Sequence, residues 1–465
     1  MSEVLTVYNP ATAAPIQTVP ADTLAEVAQK AEAAAKAQPE WAATPLEQRI
    51  AAVHSFRHLL QEEAASLAAI LTQETGKPIT QATAEVTTTA SRIDFFTRHV
   101  VAVSAPAAPP ISAPEPPALE ELITYDPLGV VANISAWNYP YFVGSNVFVP
   151  ALLTGNAVLY KPSEFATLTG LKIAELLHRS GVPEAVFAPV IGAGAAGAAL
   201  LDQPLDGMFF TGSYATGLKV AAAAARQLTK VQLELGGKDP AYICEDVPDV
   251  AAVAAAVADG AFYNNGQSCC AVERIYVHER VYEAFLAAFL ATVQGFVGGD
   301  PADPATYLGP ISRQPQLAEL TRQVKDAIAY GATLHCGGHV LEQAGWYFAP
   351  TVLTEVTHDM AVMRDETFGP VIGIQRVADD AEALALMTDT EYGLTAAVYS
   401  GDRTRAIQIL SQVNSGTAYW NCCDRVNPRL PWTGRRHSGL GSTLSLEGIR
   451  TFLKPRAWHL KPPAA

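Results

Sequence analysis

Between residues 130 and 235 the chain repeats one rhythm: a short apolar run rich in β-branched residues, a turn, then in most cases a helical stretch. The runs cover 130–135, 157–161, 186–191, 207–210 and 231–235. Runs this short and this apolar belong inside a parallel sheet whose two faces are covered by helices. Pro189 weakens the third run, because proline cannot donate to a central ladder.

A second unit of the same kind follows. Asp249 can cap a helical pattern over 250–263, after which 274–277 reads as a strand and 281–296 as a helix. Further strands are expected at 332–336, 371–376 and 395–399. The first hundred residues differ: after an Asn9-Pro10 turn, apolar positions recur at helical spacing over 24–37 and 45–75, so this region should be mostly helical. Six prolines between 105 and 117 remove backbone donors and fix φ, which makes that stretch an extended connector. Residues 450–465 have the composition of a strand with a Pro-ended tail, able to complete a sheet with 122–126.

At 465 residues the chain is long enough for two or three domains. The formal net charge of −15 excludes a partner recognised through clustered Lys and Arg, so neither nucleic acid nor an anionic membrane surface is expected. The N-terminus has no basic and apolar leader and no run is long enough to span a bilayer, so a cytoplasmic protein is expected. The six cysteines, Cys244, Cys269, Cys270, Cys336, Cys422 and Cys423, contain no C-x-x-C. Neither a disulfide framework nor a metal site is suggested, and reduced thiols are expected.

One of those thiols stands out. Cys269 lies in Phe262-Tyr-Asn-Asn-Gly-Gln-Ser-Cys-Cys-Ala271, directly after a Gly-Gln turn that closes the 250–263 helix. A free cysteine is more often packing than catalyst, but a nucleophilic thiol needs a base and oxyanion donors, and the chain offers both types. Glu234 opens Glu-Leu-Gly-Gly-Lys238 and Asn138 sits in Ala136-Trp-Asn-Tyr-Pro140. Gly212 and Gly217 bracket the start of a helix, where backbone N–H groups can hold a pyrophosphate or simply form a strand-to-helix turn.

In fixed order, Ala136–Pro140, Lys161-Pro-Ser-Glu164, Phe210-Thr-Gly-Ser213, Glu234–Lys238, Asn265-Gly-Gln-Ser-Cys269, Glu366-Thr-Phe-Gly-Pro370 and Ser438-Gly-Leu-Gly441 resemble the aldehyde dehydrogenase superfamily. The resemblance runs from about Asn9 to the tail. It implies an α/β fold of two doubly wound, Rossmann-like domains with a small β oligomerisation element. The dinucleotide-binding domain would be 1–104 with 128–236, the catalytic domain 237–440, and the oligomerisation strands 118–127 and 450–465. By position, Cys269 falls on the nucleophile, Glu234 on the general base and Asn138 on the oxyanion-hole amide. The cofactor site would draw on Trp137, Lys161, Ser163, Glu164, Gly194, Phe210, Gly212, Ser213, Leu235, Glu366 and Phe368. Within it Lys161 and Glu164 match the adenosine-ribose pair, Ser213 the pyrophosphate contact, and Glu366 and Phe368 the nicotinamide end. Glu164 should repel a 2′-phosphate, so NAD is expected over NADP, with Lys161 offsetting part of the repulsion.

The same resemblance assigns a substrate tunnel to Tyr139, Val143, Asn146, Tyr263, Cys270, Arg425, Val426 and Trp432. Family members that take ω-carboxylate semialdehydes hold the carboxylate with arginines at the positions of Asn146 and Tyr263. Neither is charged here, so uncharged aliphatic or aromatic aldehydes are expected, unless Arg425 or Arg429 turns inward. Val147 and Thr443 stand where many members place the lysine and glutamate of a proton path. A homodimer or homotetramer is expected. The alternatives are a CoA-acylating or semialdehyde-specific relative, or a non-catalytic binding protein on the same fold.

Overall fold

The computed structural model describes residues 4–107 and 120–463. Two sheets dominate. In the first, the strand order is Gly439–Leu440, Lys230–Glu234, Gly207–Thr211, Val130–Ile134, Ala157–Lys161, Phe187–Pro189, parallel except for the short Gly439–Leu440 edge. The chain starts at Val130–Ile134, builds outward to one side, then crosses back to build the other. The crevice between Val130–Ile134 and Gly207–Thr211 is therefore a topological switch point, where open α/β sheets bind ligands at their carboxyl ends. Asn138 and Gly212 both follow directly from those ends.

The second sheet runs Thr333–Cys336, Thr351–Thr354, Val371–Val377, Val272–His278, Asp239–Ile243, Thr395–Tyr399, Thr417–Trp420, parallel except for Thr333–Cys336. Asp239–Ile243 begins four residues after Leu235, so one short linker passes from the carboxyl end of the first sheet to the amino end of the second. The loop bearing Cys269 enters that same amino end through Val272. The expected site elements meet at this junction.

The strands expected at 130–135, 157–161, 207–210, 231–235, 274–277, 371–376 and 395–399 are present to within a residue or two. The run at 186–191 shrinks to Phe187–Pro189 on the sheet edge, a place that tolerates Pro189. The N-terminal hundred residues are mostly helical as expected, but they open on an antiparallel hairpin, Val4–Tyr8 with Pro15–Pro20, that the helical reading did not include. The helical stretch at 45–75 is two helices, Leu46–Glu62 and Ala64–Thr75, broken at Glu63 (φ −98, ψ 11). Asp239–Ile243 was not foreseen because Pro240 argues against a central strand; it is accommodated where the register with Val272–His278 slips by one residue. Most of the proline connector, 108–119, lies outside the described residues, while the tail pairs as expected, Leu453–Leu460 antiparallel to Glu120–Pro127.

Candidate active site

The helix Val250–Phe262 is capped by Asp249, whose carboxylate accepts from Ala252 N at 3.0 Å. It ends in a tight turn in which Asn264 (φ 53) and Asn265 (φ 58) are left-handed, a conformation asparagine tolerates better than most residues. Their amides fasten the loop: Asn265 Nδ2 donates to Gly309 O (2.7 Å) and Pro310 O (2.8 Å), and Asn264 Nδ2 to Gln267 O (3.1 Å). Gln267 Oε1 accepts from Ser312 N at 3.0 Å. Cys269 therefore sits on a loop held on both sides, half-buried, with its thiol facing a cavity of about 440 Å³.

Asn138 reaches the same loop, donating from Nδ2 to Gln267 O at 3.1 Å. Its own turn is held from behind by the helical N-terminal region, which sequence reading did not connect to the site. Lys77 Nζ donates to Asn138 O (2.6 Å), lies 3.8 Å from the centre of the Tyr139 ring, and forms a buried ion pair with Glu85. Glu85 Oε1 in turn accepts from Tyr141 N at 2.9 Å. One buried pair thus fixes the backbone on either side of Tyr139.

Cys270 lies beneath Cys269, buried, with Sγ donating to Asp424 Oδ1 at 3.0 Å. Its pKa is pushed well above the ordinary thiol range by the hydrogen bond with Cys269, then by burial and by Asp424. Cys270 therefore keeps its proton, bonded to Asp424.

Glu234 ends its strand buried at the edge of the junction. Oε1 accepts from Gln232 Nε2 (2.7 Å) and Thr443 Oγ1 (3.1 Å), while Oε2 has no protein partner among the described residues. Burial pushes its carboxyl up to about 8, against the pull of the Thr443 and Gln232 hydrogen bonds. Thr443, at the position where many members of the family place a glutamate, is a direct partner of Glu234; Val147 is buried core.

On the other side of the junction the residues expected to hold a dinucleotide line up. Ser213 caps Tyr214–Gln227, accepting from Thr216 N, and the helix presents its N-terminus beside Gly212. A Cβ on Gly212 would come within 2.5 Å of the Phe210 ring, and one on Gly217 within 2.7 Å of Leu235, so both glycines let backbone and helix pack closely there. Lys161 is buried with Nζ 3.2 Å from Pro162 O, burial lowering its pKa, and Ser163 Oγ donates to half-buried Glu164 at 3.4 Å. Gly194 opens the helix Gly194–Leu201, with nothing among the described residues close to where a side chain would extend. Trp137 and Phe368 meet edge to face at 5.5 Å. The Glu366 carboxylate rests against Gly236 and accepts from Gly237 N at 3.3 Å; a Cβ on Gly236 would strike it at 2.1 Å. Its pKa is raised by burial and by the charge on Glu273. Glu273, salt-bridged to buried Lys238 at 2.7 Å, accepts from Thr367 N (2.8 Å) and Phe368 N (3.0 Å) and so fixes this loop. The helix N-terminus, the glycine cradle and the Glu164 and Glu366 carboxylates form a donor and acceptor set that fits a dinucleotide.

Tyr139, Val143, Asn146, Tyr263, Cys270, Arg425, Val426 and Trp432 all line the cavity that Cys269 faces. Arg429 does not; it is exposed and bonds its neighbour Asn427. The wall is more polar than expected, because Thr88, Ser91 and Arg92 enter it from the helix Ile79–Ser104, and Asp259, Ser268 and Asp424 from elsewhere. Arg92 is one of two arginines, with Arg98, on this threonine-rich helix, and nothing in the sequence shows which of them faces the site without the packing of that helix against Pro140–Leu153.

A model of the aldehyde dehydrogenase family matches residues 1–457. The chain belongs to this family. It is 36% identical over 445 residues to a succinate-semialdehyde dehydrogenase (NADP+) from Deinococcus radiodurans, spanning 96% of this chain and 92% of that protein. The crystal structure of an NAD-dependent aldehyde dehydrogenase from Sinorhizobium meliloti matches with a TM-score of 0.95 and 31% identity, covering 100% of this chain and 93% of the other. That of lactaldehyde dehydrogenase from Escherichia coli matches with a TM-score of 0.95 and 31% identity over 99% and 96%. This aldehyde dehydrogenase is therefore an oxidoreductase that acts on an aldehyde with NAD or NADP as acceptor. No helix among its described residues is long and apolar enough to cross a membrane.

Proposed function

We propose that the enzyme oxidises its aldehyde to the free carboxylic acid through a thioester on Cys269, with NAD preferred and NADP accepted less readily. The observation that carries this reading is the loop at 264–270, which holds the Cys269 thiol at the cavity wall, with Cys270 bonded to Asp424 behind it and the Asn138 amide against Gln267 O. The Cys269 thiolate attacks the aldehyde carbon, forming the C–S bond, and the negative charge that gathers on oxygen is met by the Asn138 amide and the Cys269 backbone N–H. NAD, when bound, supplies the acceptor for the hydride lost from that carbon. Water then attacks the resulting thioester, Glu234 takes its proton, the C–S bond breaks, and the acid leaves with Cys269 restored as thiolate. The unpartnered Glu234 Oε2 is the oxygen suited to that water. Glu234 also argues against transfer to CoA, which needs no such base.

Trp137, Lys161, Ser163, Glu164, Gly194, Phe210, Gly212, Ser213, Leu235, Glu366 and Phe368 would hold the dinucleotide, the segments 1–104 and 128–236 forming its domain and 237–440 the catalytic one. The two-stranded ribbon of Glu120–Pro127 and Leu453–Leu460, with Trp458 and Leu460 exposed, supports assembly into a homodimer or homotetramer in the cytoplasm. Purified enzyme given NAD and an aldehyde panel, with and without CoA, should generate reduced nicotinamide independently of CoA. Turnover that requires CoA would overturn the hydrolytic reading.

A further inference from the structure

Arg92 is 6% exposed, yet no carboxylate among the described residues pairs with it. Its guanidinium stacks on the Phe142 ring at 4.0 Å and makes one hydrogen bond, from Nη1 to Asn146 Oδ1 at 2.9 Å. Its other donors find no protein acceptor among the described residues and are not sealed in, since the side chain lines the Cys269 cavity. Burial lowers its pKa only to about 10, so it is cationic at neutral pH.

A buried cation without a counter-ion is costly, and most chains neutralise it with a neighbouring carboxylate. Here the neighbouring carboxylates are committed elsewhere. Glu85 is held by Lys77 and Tyr141 N; Asp424 accepts from Cys270 Sγ and Ser268 Oγ, with burial favouring its neutral form; Asp259 accepts from Tyr307 Oη at 2.6 Å. Asn146, an uncharged position on the wall, orients the guanidinium with its carbonyl instead of competing with it. The arrangement holds the fork rigid and leaves its remaining N–H groups for something that enters the cavity.

We infer that Arg92, oriented by Asn146 and Phe142, binds an anionic group at the far end of the aldehyde, so that the substrate class is an aldehyde bearing a distal carboxylate. This rests on the reading that Cys269 attacks an aldehyde inside this cavity. It replaces the expectation of an uncharged substrate, which was drawn from the two wall positions that do lack charge, Asn146 and Tyr263. The carboxylate pairs with Arg92 through charge-assisted hydrogen bonds, its carbon chain lies along Phe142 and Val143, and the aldehyde end is left for Cys269.

The test compares 4-oxobutanoate with butanal as substrates for the wild type and for Arg92→Met, Arg92→Lys and Arg425→Ala. Wild-type kcat/KM should favour 4-oxobutanoate by about tenfold or more, and Arg92→Met should lose that preference mainly through a raised KM for 4-oxobutanoate. Arg92→Lys should keep part of the preference. Equal wild-type kcat/KM values, a loss on both substrates alike in a folded Arg92→Met, or a preference that vanishes only in Arg425→Ala would each overturn the inference. A second readout needs no turnover: succinate should slow alkylation of Cys269 by iodoacetamide in the wild type and not in Arg92→Met. If neither aldehyde reduces NAD, the proposed reaction fails, and the alkylation result alone decides whether Arg92 binds a carboxylate.

Discussion

Replacing Thr443 with valine keeps the shape of the side chain and removes one of the two hydrogen bonds to Glu234 Oε1. A hydrogen bond to a charged acceptor contributes about 1.5–3 kcal/mol, and each pKa unit corresponds to about 1.4 kcal/mol, so the Glu234 pKa should rise by roughly one to two units. Starting from about 8, the fraction of Glu234 ionised at pH 7 falls from roughly a tenth to a hundredth or less. Hydrolysis of the thioester should therefore slow about tenfold or more at pH 7, and the deficit should close as pH rises towards about 10. The assay is the pH dependence of the slow phase that follows the burst of reduced nicotinamide, in wild type and Thr443→Val. The sign is specific: a carboxyl raised above its ordinary value of 4.5 keeps its proton in the folded state, so both base strength in use and the stability linkage change between about 4.5 and 8, with stability falling as pH rises through that window. A Thr443→Val profile that overlays the wild type, or one reduced equally at every pH, would show that this hydroxyl does not tune Glu234.

Lys77→Met should destabilise the protein by about 3–5 kcal/mol, read as a lowered urea midpoint, because it strands Glu85 buried and unpaired. The double change Lys77→Met with Glu85→Leu should recover part of that stability while still slowing acylation, since Asn138 O and Tyr141 N both lose their partners; full recovery of rate would remove this pair from the positioning of Asn138. Glu164→Gln should raise kcat/KM with NADP by several-fold relative to NAD, because a negative charge near the 2′-phosphate is gone; an unchanged cofactor ratio would place that discrimination elsewhere.

The sheets were legible because buried parallel strands carry their own signature of short, β-branched runs between turns. Asp239–Ile243 escaped it through Pro240, and the N-terminal hairpin through its length and its proline ends. For the site, the Cys269, Glu234 and Asn138 segments could be read from motifs, since each lies on a turn next to a strand end and its chemistry is local. What surrounds them was not legible. Lys77, Glu85 and Arg92 reach the junction from a helical region more than forty residues earlier in the chain, and nothing in their spacing reveals which face of that region packs on the Pro140–Leu153 helix. Thr443 reads in sequence as the loss of a glutamate and in three dimensions as a new partner for the base.

A covalent thioester on Cys269 that Glu234 clears by hydrolysis can be trapped when the base is removed. Glu234→Gln mixed with NAD and an aldehyde, quenched in acid after the burst and digested, should show the Cys269 peptide heavier by the mass of the aldehyde less two hydrogens, with one reduced nicotinamide formed per adduct. Reduced nicotinamide with no adduct, or an adduct carried by Cys270 in its place, would contradict the account.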